Sequence, residues 1–138
     1  MTGNHFGYKK GAEPFFNIVM EGLKGEVDGE TFWDTVAEDA VFDFLYHFPG
    51  FTRRFEGRDA YMRWFEGYSV TLHSADNLRV YKTGEGNIVI LEYEVHGTVP
   101  GSEKAYDNRF CSIITIANRK IVYWRDYMDS LAAMTAFS

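Results

Sequence analysis

A single cysteine, Cys111, stands in a chain of 138 residues, which excludes an internal disulfide and fits a reducing compartment. The N-terminal residues lack an apolar run long enough for a signal peptide, and nothing downstream reaches transmembrane length, so a soluble, cytoplasmic protein is expected. Basic residues never cluster. With 14 Lys and Arg against 20 Asp and Glu, the net charge is −6, which argues against nucleic acid or an anionic membrane surface as a partner. The chain also lacks a G-x-S-x-G elbow, a P-loop and a G-x-G-x-x-G turn. Its four histidines (His5, His47, His73 and His96) show no ligand spacing, so no metal and no other cofactor is expected.

Aromatic residues are abundant instead. Twelve Phe, nine Tyr and three Trp can wall a pocket or fill a bulky core. The length suits one domain spanning residues 1–138. Pro14 marks a helix start, and Phe16, Val19, Met20 and Leu23 recur at helical spacing up to Gly25. A short second helix is predicted over Thr31 to Val36, and a third over Arg58 to Ser69 with Tyr61, Trp64, Phe65 and Tyr68 on one face. Strand formers fill Ala40 to Tyr46 and then four segments near 76–82, 88–98, 105–117 and 120–128, separated by Gly-, Pro- and Asn-containing turns. Helices followed by an antiparallel meander indicate an α+β class with the helices on one face of a curved sheet.

Three local patterns carry a resemblance: Glu38-Asp39-Ala40-Val41-Phe42, Phe55-Glu56-Gly57-Arg58-Asp59-Ala60, and Lys120-Ile121 leading into Trp124-Arg125-Asp126-Tyr127-Met128-Asp129. With the order of elements, they resemble the nuclear transport factor 2-like superfamily, SnoaL-like branch, over essentially the whole chain. Its relatives include limonene epoxide hydrolases, scytalone dehydratase and ketosteroid isomerases. The resemblance implies a cone-shaped barrel: three helices from the N-terminal side on a strongly curved, mostly antiparallel sheet, with an internal pocket. It also implies that Asp126, beside Trp124, matches the water-activating Asp of the epoxide hydrolases, while His47 falls where their Asn holds that water. Glu92 and Glu94 fall near an Arg–Asp pair of that site, so the Arg is missing. The ketosteroid isomerase set is absent, because its base position is Phe44 and its protonated Asp is Cys111.

Alternation along a strand puts Trp124 and Asp126 on one face and Tyr123, Arg125 and Tyr127 on the other. A two-residue hairpin at Asn118-Arg119 would set Cys111 opposite Asp126 and Ile113 opposite Trp124, with Arg109 a diagonal neighbour of Asp126. The register of 88–98 stays open: Glu92, Glu94 and His96 share that face, or, after a one-residue slip, Leu91, Tyr93 and Val95 do. Parity alone buries the apolar set. The resemblance favours a polar pocket and an apolar outer face covered by a second subunit, and this reading is adopted because both faces then have a cover.

The expected function is cofactor-free acid–base chemistry on a small, largely apolar cyclic molecule, by isomerisation, dehydration or hydrolysis. Asp126 would be base or water activator and His47 its partner. Arg109 or Glu94 would tune the charge, and Trp124, Trp64, Tyr68 and Cys111 would shape the pocket. The alternative is a non-catalytic ligand-binding or dimeric scaffold. The two differ in whether Asp126 and His47 open into one cavity. A homodimer is expected through the face assigned Phe110, Tyr123, Arg125 and Tyr127, a composition enriched at interfaces. Light scattering at micromolar concentration should give about twice the 15.9 kDa chain mass; the monomer mass would contradict it.

Overall fold

Pro14 sits in the first turn of helix α1 (Glu13–Gly22), where its missing N–H costs no hydrogen bond, and Phe15, Phe16, Ile18 and Val19 turn inward. The structure, a computed structural model, describes residues 11–67, 70–84 and 86–138. After α1 comes a single 3₁₀ turn (Trp33–Thr35), then strands β1 (Val36–Phe44) and β2 (Arg54–Glu56) and helix α2 (Arg58–Glu66). Strands β3 (Thr71–Lys82), β4 (Ile88–Val99), β5 (Lys104–Ala117) and β6 (Lys120–Met128) follow, and helix α3 (Ser130–Phe137) ends the chain. The strands form one curved six-stranded sheet in the order β2-β1-β6-β5-β4-β3, antiparallel except where β1 runs parallel to β6. The sheet is not closed. Helix α1 packs on β3 and β4, α2 on β1 and β2, and α3 on β5, so the α+β class and the helix-on-curved-sheet arrangement are as expected. No helix among the described residues is long and apolar enough to cross a membrane.

Two helices differ from expectation. The segment predicted as a second helix shrinks to the 3₁₀ turn, held by reciprocal Thr31 and Asp34 side-chain-to-backbone bonds of 3.2 and 3.3 Å. Val36 already joins the sheet beside Ile121, and β-branched residues favour that state. The third helix lies at the C-terminus, where Asp129 caps it by accepting from the Ala132 N–H at 3.0 Å. Only two of the three main helices therefore come from the N-terminal side.

The decisive local feature is a bulge in β6. Ala117 pairs with Lys120 and Ile116 with Ile121, as a tight hairpin requires, but Thr115 pairs with Tyr123. Val122 is the extra residue. Beyond it Ser112 stands opposite Asp126 and Ile114 opposite Trp124, so the predicted pairing of Asp126 with Cys111 is wrong by one residue. Because β4 pairs Leu91 with Ser112, the inner face carries Leu91, Tyr93 and Val95, and Glu92, Glu94 and Arg109 point outward. The polar-pocket reading is thus overturned, and parity alone had the β4 face right. Phe110 is also inward, its ring nearly parallel to Tyr93 at 5.6 Å, so it does not belong to the outer patch of Tyr123, Arg125 and Tyr127.

Close approach to β3 constrains β4 at Gly97. A Cβ there would lie 2.1 Å from the Thr71 carbonyl oxygen and 2.9 Å from the Leu72 Cα, both backbone atoms that cannot rotate away. Gly97→Ala should cost about 1–3 kcal/mol, read as a lower Tm. An unchanged melting curve would show that the two strands separate at no cost.

Candidate functional site

Alternation continues past the end of β1, so Phe44 and Tyr46 face inward, their rings stacked at 5.8 Å, while His47 is exposed. The inward set helps line a cavity of about 470 Å³ between the sheet and the helices. Phe15 of α1 and Tyr61, Trp64 and Phe65 of α2 form one wall. Phe48 and Phe51 of the 45–53 loop and Tyr106 and Phe110 of β5 line it as well. Ala133 and Phe137 of α3 border the remaining side. Asp126 is the carboxyl in this otherwise apolar and phenolic lining.

Asp126 is 6 % exposed and held by two donors on one oxygen. The Ser112 hydroxyl donates to Oδ1 at 2.6 Å, and the Trp124 indole N–H donates to the same atom at 3.1 Å. With the Ser112 proton engaged, the Tyr93 hydroxyl donates to Ser112 Oγ at 2.9 Å, which makes a buried chain from phenol to hydroxyl to carboxyl. Among the described residues neither bond reaches Oδ2. That oxygen is the one free to meet a ligand.

The other predicted site residues are scattered. Trp64 lines the cavity, and Trp124 lies behind Asp126 as a donor. Tyr68 lies outside the described residues. His47 points outward and does not share the cavity. Arg109, Glu94 and Cys111 converge, but in an open groove of about 720 Å³ on the outer face, with Glu92 and Tyr127. Arg109 leans toward Asp129 at 3.7 Å and Glu94 accepts from Asn77 at 3.1 Å, so these groups already have surface partners. The groove is larger, yet its charges stay hydrated. The more sheltered cavity holds the perturbed carboxyl and is the better candidate site.

The absence of ligand spacing among the histidines does not anticipate one cross-strand cluster. Ligand atoms of Asp76, Glu94 and His96 lie within 4.8 Å of one another on the exposed outer face. His96 bonds Asp107 at 2.6 Å and Asp76 at 3.0 Å, and these two carboxylates raise its pKa. The imidazolium and its carboxylates thus satisfy one another, on the opposite side of the sheet from Asp126.

Known proteins share this construction. The SnoaL-like domain family matches residues 20–124. The chain belongs to the SnoaL-like family. Its sequence is 33 % identical over 133 residues to the uncharacterised protein YesE of Bacillus subtilis, covering 94 % of this chain and 88 % of that one. It is 30 % identical over 114 residues to an uncharacterised PhzA/B-like protein of Pseudomonas aeruginosa, covering 79 % and 78 %. A solved Bacillus subtilis structure provisionally classed as an isomerase superposes with a TM-score of 0.75 at 28 % identity, over 91 % of this chain and 88 % of that one. A Xanthomonas campestris structure provisionally classed as a polyketide cyclase shares the fold, with a TM-score of 0.65 at 21 % identity over 88 % and 95 %.

In this SnoaL-like domain, burial dominates the electrostatics of the site. Desolvation pushes the Asp126 pKa up to about 7, and the Ser112 and Trp124 hydrogen bonds only partly offset it. Burial, and then the nearby Asp126 charge, raises the Tyr46 and Tyr93 hydroxyls above the ordinary phenol range, so both stay protonated donors. Ser112 was missed in the sequence because its place follows from the shifted register, Tyr93 was weighed for the inner face but not as a site residue, and Tyr46 was not singled out. The signal available for Tyr46 was its alternation with Phe42 and Phe44. Asn108 was missed too: its Oδ1 accepts from the Arg109 and Asp129 N–H groups, and its Nδ2 donates to the Tyr106 hydroxyl at 2.8 Å.

The raised pKa has a stability consequence with a definite sign. Between the ordinary value of 3.8 and about 7, the folded state holds a proton that the unfolded state releases, so this group destabilises the fold as pH rises through that window. Each unit of difference is worth about 1.4 kcal/mol. The stability of Asp126→Asn relative to wild type should therefore grow from about pH 4 to about pH 7 and level off above, followed by urea unfolding. A difference independent of pH would contradict the buried, proton-retaining carboxyl.

Proposed function

We propose that this SnoaL-like protein is an enzyme that binds a small, largely apolar cyclic molecule in the aromatic cavity and moves a proton on it without a cofactor. The observation that carries the reading is the buried Asp126 carboxyl, open to that cavity and with a pKa near 7. A group balanced between its two protonation states near neutral pH is suited to both halves of a proton relay. In its ionised form Oδ2 removes a proton from a carbon or hydroxyl of the substrate, and in its protonated form it returns one at another position. Ser112 and Trp124 keep Oδ1 in place, so the carboxyl does not swing when its charge changes. Tyr46, a neutral phenol in the same cavity, is the hydrogen-bond donor available to an oxygen on which charge builds.

The class of reaction supported is isomerisation, cyclisation or another proton-shifting rearrangement. The provisional names of the Bacillus subtilis neighbour (isomerase) and the Xanthomonas campestris neighbour (polyketide cyclase) agree with that range. Water activation with His47 as partner is not supported, since His47 faces away. Its absence from the cavity is also what favours the second reading, a ligand-binding protein without turnover.

Asp126→Asn separates the two. It keeps the size of the side chain and one acceptor for Ser112 and Trp124 but removes the base. Turnover should fall about 10²–10⁴-fold while the affinity for an uncharged ligand is largely kept. If an active substrate is found and the variant turns it over at the wild-type rate, the catalytic assignment is wrong.

A further inference from the structure

We infer that the cavity selects its ligand by charge, admitting ring molecules that are neutral or positively charged and rejecting those that bear a carboxylate or phosphate; this rests on the proposed binding site. Among the described residues that line the cavity, Asp126 is the only carboxyl, the other titratable groups are tyrosine hydroxyls, and no Lys, Arg or His joins it. An anion entering this space would give up its hydration with no counter-ion to replace it, and it would meet a carboxyl of the same sign. Two nearby cations are held outside the cavity: Arg54 is bound by Asp43 and Glu56, and Arg109 leans toward Asp129 on the outer side of the sheet.

The same lining favours a cation. Aromatic rings make up most of the lining, Trp64, Phe65, Tyr61 and Phe44 among them, and a positive group that comes over the face of such a ring is attracted to its quadrupole. Oδ2 of Asp126 then supplies an anionic acceptor at the cavity floor. The titratable groups that feel Asp126 are Tyr46 beyond β1 and Tyr93 on β4, with Cys111 acting through the sheet from its outer side, and the cavity lining adds the hydroxyls of Tyr61 on α2 and Tyr106 on β5. All are acids that are uncharged when protonated; burial raises Tyr46, Tyr93 and Cys111 above their ordinary values. None brings positive charge to the cavity. A substrate with an amine or imine nitrogen, or with only carbonyl and hydroxyl oxygens, fits this environment.

Calorimetric titration of the full chain with naphthol, naphthylmethylamine and naphthoate tests the inference, since the three share one ring system and differ in charge. Heat that survives in Ala133→Trp, which drives an indole into the cavity, is not counted as cavity binding. At about pH 8 naphthoate should bind about tenfold or more weakly than naphthol. Naphthylmethylamine should bind more tightly at about pH 8 than at about pH 5, because Asp126 ionises between them, and Asp126→Asn should abolish that gain. Naphthoate binding as tightly as naphthol, or an amine affinity that Asp126→Asn leaves unchanged, overturns charge selection. If none of the three binds in the cavity, the binding-site reading beneath it fails instead.

Discussion

A carboxyl group removed from water must be given donors or kept protonated, and the placement of Asp126 in this fold is organised around that requirement. One extra residue, Val122, rotates the end of β6 so that Trp124 and Asp126 both turn toward the helices. The same rotation brings Ser112 opposite Asp126. Without the bulge, the carboxyl would face a thiol across the strand instead of a hydroxyl, and Tyr93 would have no link to it. Ser112 and Trp124 supply two donors, too few to restore the ordinary acidity of a fully buried carboxyl.

The other features of the site follow from that placement. Parallel pairing of β1 with β6 sets Phe44 beside Asp126, and the continued alternation brings in Tyr46. Helices α1 and α2 lay Phe15, Tyr61, Trp64 and Phe65 over this part of the sheet, so the carboxyl opens into aromatic walls and not into water. Helix α3 adds Ala133 and Phe137 along another side. Its start is tied to the sheet through Asn108, which accepts from the Asp129 N–H while donating to Tyr106. A change at the Asp129 cap would therefore be felt at the cavity wall. Low polarity around the carboxyl and exclusion of anions are two results of the same construction.

Much of this was legible in the residues. The strands from 88 to 128 announce themselves by β-branched and aromatic runs between turn residues, and the strong apolar set Leu91, Tyr93 and Val95 marks the inner face of β4. Asp126 could be singled out because a carboxylate beside Trp124 in a strand demands a partner. What could not be read was which partner. A bulge leaves no clear mark in Ile121-Val122-Tyr123-Trp124, where all four residues suit either face, and one unpaired residue exchanges Cys111 for Ser112. Arg109 and Glu94 were carried to the wrong face by the same slip. Helix α3 was hidden for a different reason: its eight residues carry no charge and spread Leu131, Met134 and Phe137 among small side chains with almost no amphipathic pattern, and only the Asp129 cap betrays the start.

The account stands on one physical state, a carboxyl at Asp126 that keeps its proton far above the usual range because it is buried in an aromatic cavity. Carbon NMR of the side-chain carboxyl carbons, with Asp126 assigned by its loss in Asp126→Asn, measures that state without reference to any substrate. The account predicts a titration midpoint near 7 for Asp126, against an ordinary value of 3.8. A midpoint close to the ordinary value would mean that the carboxyl is hydrated, and it would contradict the proton-transfer role and the charge selection together.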